Sequence, residues 1–71
     1  MSKYLVIFEQ TENNWGAYSP DVPGCVATGA TQEETEHNFR EALAFHFDGL
    51  RRHGLPIPSP AAIAGHVLVE A

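Results

Sequence analysis

The sequence predicts a small α+β domain of two layers, with one helix packed on a mixed sheet, in the order β-β-β-α-β. Three observations carry that prediction. Two runs rich in aromatic and β-branched residues, 4–9 (YLVIFE) and 15–19 (WGAYS), flank a polar stretch. A segment punctuated by Pro and Gly follows them. A long amphipathic segment then opens on Thr31-Gln32-Glu33-Glu34 and closes on Gly54.

In residues 4–9 the alternation sets Tyr4, Val6 and Phe8 on one face and Leu5, Ile7 and Glu9 on the other. Both faces are mostly apolar, which predicts a central strand covered on both sides. Residues 10–14 are turn-forming and join it to an antiparallel second strand over 15–19.

The next stretch, YSPDVPGCVATG (residues 18–29), holds two prolines, two glycines and the only cysteine. Pro20 biases Ser19 away from helix, and Asp21 is placed to fold its carboxylate onto nearby backbone amides. Pro23 suits the first central position of a type II turn and Gly24 the second, where φ is positive. Residues 25–28 then make a short third strand ended by Gly29.

Thr31 and Glu34 form a capping box, and Glu33, Glu34 and Glu36 suit the positive end of the helix dipole. Thr35, Phe39, Ala42, Leu43, His46, Phe47 and Leu50 make one apolar stripe at helical spacing. With Arg51-Arg52 in the last turn and Gly54 as C′, the helix spans residues 32–53. Residues 55–60 (LPIPSP) are extended and outside any ladder. Residues 65–70 (GHVLVE) form a last strand, set parallel beside the first by a right-handed crossover.

The 71 residues make a single domain over 1–71. A core of that size supplies about 3–5 kcal/mol, and one helix covers only one face of the sheet. Self-association is the economical way to cover the rest, so a homo-oligomer is expected.

Four Lys+Arg against nine Asp+Glu give a formal charge of −5, which argues against direct nucleic-acid binding and suits a basic protein partner. A single cysteine excludes an internal disulfide and fits a reducing, cytoplasmic setting. The five apolar residues after Lys3 are too few for a signal peptide or a membrane span.

No catalytic residue, metal or cofactor is expected. Cys25 has no nearby base in sequence and reads as a buried small hydrophobe. His37, His46, His53 and His66 match no compact ligand spacing. The carboxylates of the helix start are explained by the helix itself, and the first strand has none in its interior, against a two-metal nuclease. Phe45 lies off the apolar stripe, as an extra core contact or as part of a protein interface.

The ordered combination YLVIFEQ, WGAYSPD, VPGC-VATG-ATQEE, NFREALAFHFDGLRRHG and LPIPSP resembles the HicB-like antitoxins of HicA–HicB toxin–antitoxin systems. The resemblance covers about residues 4–60. It implies a truncated RNase-H-like βββαβ fold without the nuclease carboxylates. It also implies self-association and a small basic RNA-cleaving toxin as partner, held by a non-enzymatic antitoxin. Pro20, Asp21, Pro23 and Gly24 are carried over as the turn that defines the fold. Many members add a C-terminal DNA-binding unit; this sequence stops at Ala71, so that unit and its activity are not expected.

Two surfaces suit such a partner: one containing Glu41, Phe45 and Asp48, the other on the outer sheet face around Trp15 and Tyr18. The alternative function is a solitary homo-oligomeric scaffold with no toxin.

Overall fold

The computed structural model describes residues 1–71, with strands β1 (Ile7–Gln10), β2 (Trp15–Tyr18) and β3 (Val26–Gly29) followed by helix α1 (Gln32–Arg52). The sheet is antiparallel throughout, in the order β1-β2-β3. Phe8 pairs with Ala17 and Ala17 with Ala27, so these three side chains share the face that meets the helix.

The fourth strand is not formed. Residues 65–70 carry no ladder and are exposed, so the sheet has three strands and the order is βββα. β1 is consequently an edge strand rather than the central one. It is also shorter at its start than the run of apolar residues. Continuing the register would set Leu5 opposite Pro20, which has no N–H to give, and the chain already turns where Val22 N–H donates to the Ser19 carbonyl. Tyr4 and Val6 nevertheless keep the alternation and pack against the core. β3 lies one residue later than the expected 25–28 because Cys25 still belongs to the turn, its N–H donating to the Val22 carbonyl at 3.4 Å.

That last bond closes a four-residue turn, Val22 to Cys25, with Gly24 at φ 86°. Pro23 and Gly24 occupy its two central positions, in type II geometry. At the start of α1 the Thr31 hydroxyl accepts from Glu34 N–H at 3.1 Å. The Glu34 carboxylate reaches back to Ala30 N–H at 2.9 Å, one residue before the cap. The helix ends in a Schellman motif: Leu55 N–H donates to the Leu50 carbonyl and Gly54 N–H to Arg51, with Gly54 at φ 66°.

The helix lies over β3 and β2, tied down by the Asn38 amide, which donates to the Thr28 carbonyl at 2.9 Å. Of its apolar stripe, Thr35 and Phe39 are buried, whereas Ala42, Leu43, His46, Phe47 and Leu50 towards the C-terminal half are half-buried. Ala17, Val22, Cys25 and Phe39 complete the fully buried apolar core. With only 6 of 71 residues buried, the isolated fold sits at the small end of what one core can hold.

Beyond Gly54 the chain is extended. It is stitched to the domain at two points: the Tyr4 hydroxyl donates to the Pro58 carbonyl at 2.6 Å, and the Asp21 carboxylate accepts from Ala61 and Ala62 N–H. Asp21 therefore binds amides forty residues away, not those of its own turn. No helix is long and apolar enough to cross a membrane.

Candidate protein-binding surfaces

On an α-helix, residues 37, 41, 45, 48 and 52 fall within a narrow strip because successive residues turn by about 100°. In α1 that strip points away from the sheet and carries His37, Glu41, Phe45, Asp48 and Arg52, all exposed. His37 Nε2 stands 2.8 Å from Glu41, and Arg52 Nε stands 3.1 Å from Asp48. Between these two pairs lies Phe45, 83% exposed. Phe45 is thus no core contact. Its aromatic ring lies in solvent, framed by the Glu41 and Asp48 carboxylates, and exposed pairs of this kind contribute little to stability.

The second surface is the sheet face turned away from the helix. Register sets Ile7, Tyr18 and Val26 in one row across it, with Tyr18 and Val26 exposed. Trp15 does not belong there. It is three residues from Tyr18 in the same strand and points to the opposite, helix-side face, where it is half-buried beside Gln10 and Gly29. Glu41, Phe45 and Asp48 are brought together, whereas Trp15 and Tyr18 are separated. The helix strip and the Tyr18 row lie on opposite sides of the two layers.

The chemistry elsewhere is sparse. Cys25 is buried, and burial pushes its thiol pKa up, away from the reactive thiolate. No three His, Cys, Asp or Glu side chains converge in a way that would hold a metal ion. His46 is half-buried beside the Phe47 ring, 6.1 Å between centroids. His53 Nδ1 lies 2.8 Å from the Gly49 carbonyl at the helix end. The long-range role of Asp21 carried no signal in the sequence, since its partners are backbone amides of two alanines.

These features can be set against known proteins. Residues 4–70 match the model of a family described as the HicB-like antitoxin of bacterial toxin–antitoxin systems. The chain belongs to the HicB-like antitoxin family. It is 36% identical over 78 residues to Antitoxin HicB 2 of Photorhabdus laumondii, covering 94% of this chain and 56% of that protein. It is 30% identical over 64 residues to a 14.9 kDa protein of Haemophilus phage HP1, covering 90% of this chain and 48% of the relative. The chain therefore spans about half the length of these two relatives. A UPF0150 protein of Thermoplasma acidophilum is 33% identical over 57 residues, with 79% of this chain and 83% of the relative covered. Among solved structures, a chain of a HicA3 and HicB3 toxin–antitoxin complex superposes with a TM-score of 0.72 at 33% identity. The superposition covers 84% of this chain and 70% of that one. The βββα arrangement of three antiparallel strands and one helix is thus shared with a HicB-like structure.

Proposed function

We propose that this domain is the binding half of a toxin–antitoxin pair: a non-enzymatic antitoxin that holds a small basic RNA-cleaving toxin and blocks its active site. The observation that carries the reading is the Phe45 strip. A solvent-exposed aromatic ring is the kind of side chain that anchors an interface, and Phe45 has no use in the fold of the monomer. The formal charge of −5 favours encounter with a basic partner over direct contact with RNA. The name of the solved complex, which pairs HicA3 with HicB3, points the same way. Phe45, Glu41 and Asp48 are the proposed contact residues, with Tyr18 on the far side as the second surface.

The test is a pull-down of the tagged chain from its host's lysate, followed by an RNA-cleavage assay. Retention of a stoichiometric basic protein whose cleavage of RNA stops on adding this chain supports the reading. Phe45→Ala should weaken that inhibition by at least about tenfold, the scale of an interface anchor worth more than about 1.4 kcal/mol, with no change in helix content. Unchanged inhibition would remove the strip from the interface.

A second reading, a solitary homo-oligomeric module, is favoured by the small core and by the close match in span to the Thermoplasma relative. Self-association is common to both readings.

A further inference from the structure

α1 covers β3 and β2 and leaves the β1 side of the sheet open. The result is a groove between β1 and the helix, about 940 Å³, walled by Tyr4, Val6 and Phe8 on one side and Phe39, Leu43 and Phe47 on the other. Its outer rim is the free edge of β1, whose backbone N–H and C=O groups have no strand partner on that side. An apolar trough beside an unpaired edge is a template for one more strand.

The same chain contains a strand without a sheet. Residues 65–70 (GHVLVE) alternate, with Val67 and Val69 on one face and His66, Leu68 and Glu70 on the other. Val67, Leu68 and Val69 are all exposed, Leu68 completely. At about 3.3 Å per residue this segment is roughly 20 Å long, about the length that residues 4–10 can pair.

The segment is directed away from its own groove. From Tyr4 the chain is drawn to the β2–β3 connection, where Asp21 holds Ala61 and Ala62. No residue beyond Ala62 pairs with the free edge of β1, and residues 63–71 are exposed throughout. The segment projects instead. The radius of gyration is 14.0 Å, with extents of 47 × 27 × 20 Å; a compact chain of this length has a radius of about 11 Å.

We infer that residues 65–70 are an exchanged strand, which pairs with β1 of a second copy of this chain and fills that copy's groove with Val67 and Val69, while the second copy does the same in return. Reciprocal exchange closes a two-fold dimer in which the β1 edge of each copy is paired. It completes the βββαβ order between two chains. The inference rests on the self-association proposed above but not on any toxin, and the Phe45 strip stays free in the dimer.

The test uses the whole 71-residue chain without a partner protein. Sedimentation equilibrium should give a dimer, and the double variant Val67→Asp, Val69→Asp should give a monomer with unchanged helical circular dichroism. Mixing isotope-labelled and unlabelled chains should give nuclear Overhauser contacts from the Val67 and Val69 methyls to Tyr4 and Phe8 rings of the other chain. A monomeric wild type, a dimer indifferent to the double variant, contacts confined to one chain, or a tail that orders only on adding a basic toxin would each overturn it. A dimer that fails to inhibit any toxin leaves the exchange intact and counts against the antitoxin reading alone.

Discussion

Asp21 and Ala62 lie forty-one residues apart, yet the Asp21 carboxylate accepts from Ala62 N–H with both oxygens, at 3.0 and 3.2 Å. Its Oδ2 also takes Ala61 N–H at 3.0 Å. The turn between β2 and β3 is thereby the anchor of the extended chain after the helix. Asp21→Ala should release that anchor. Amide exchange at Ala61 and Ala62 is expected to rise about tenfold, the scale of one charge-assisted bond, while exchange in α1 stays unchanged. Asp21→Asn, which keeps one acceptor oxygen, should fall between. Equal protection in all three proteins would show that other contacts hold the segment.

Gly24 and Gly29 are required for different reasons, and substitutions should separate them. At Gly24 a Cβ would meet nothing within 4 Å, so the constraint is its φ of 86° alone. Gly24→Val should cost about 1–3 kcal/mol, and Gly24→Asn clearly less, because Asn tolerates the left-handed region. Matching melting temperatures for both variants would place the strain elsewhere.

At Gly29 the backbone is ordinary but space is not. An added Cβ would lie 2.6 Å from Thr35 Oγ1 and 2.8 Å from Thr35 N. Thr35 is fully buried, its hydroxyl donating to the Thr31 carbonyl at 2.7 Å, so the first helical turn has no room to yield. Gly29→Ala should destabilise by about 1–3 kcal/mol, read as a melting temperature lower by about 4–8 °C for each kcal/mol. A stable Gly29→Ala protein would mean that the β3–α1 junction is looser than this packing requires.

Burial raises the Cys25 thiol pKa, and the sign of the pH effect follows. The folded state holds the thiol proton more tightly than the unfolded chain does. That contribution is fully present below the unfolded thiol's pKa of about 8.5 and is lost as pH rises through the folded value. Urea midpoints of the wild type should therefore fall relative to those of Cys25→Ala once pH exceeds about 8.5. Parallel pH curves for the two proteins would show that the thiol is not buried on folding.

What could be read along the chain was whatever neighbouring residues enforce on one another. The helix is the clearest case: Thr31 and Glu34 start it, the stripe from Thr35 to Leu50 turns it to the sheet, and Gly54 stops it within one residue of expectation. Three strands were legible from alternation and from the polar and Pro-Gly breaks between them. Phe45 stood out as a residue off the stripe, but alternation could not say whether it met core or solvent.

Tertiary structure decided the relations that no local pattern carries. Residues 65–70 have every mark of a strand and still form none in this chain, because a strand exists only where a partner edge is within reach. For the same reason β1, apolar on both faces, is an edge and not a centre. Trp15 and Tyr18 needed no such help: three residues apart in one strand, they lie on opposite faces by alternation alone. Asp21 found its amides across forty residues, a pairing fixed by where the helix delivers the chain and invisible in the composition of either segment.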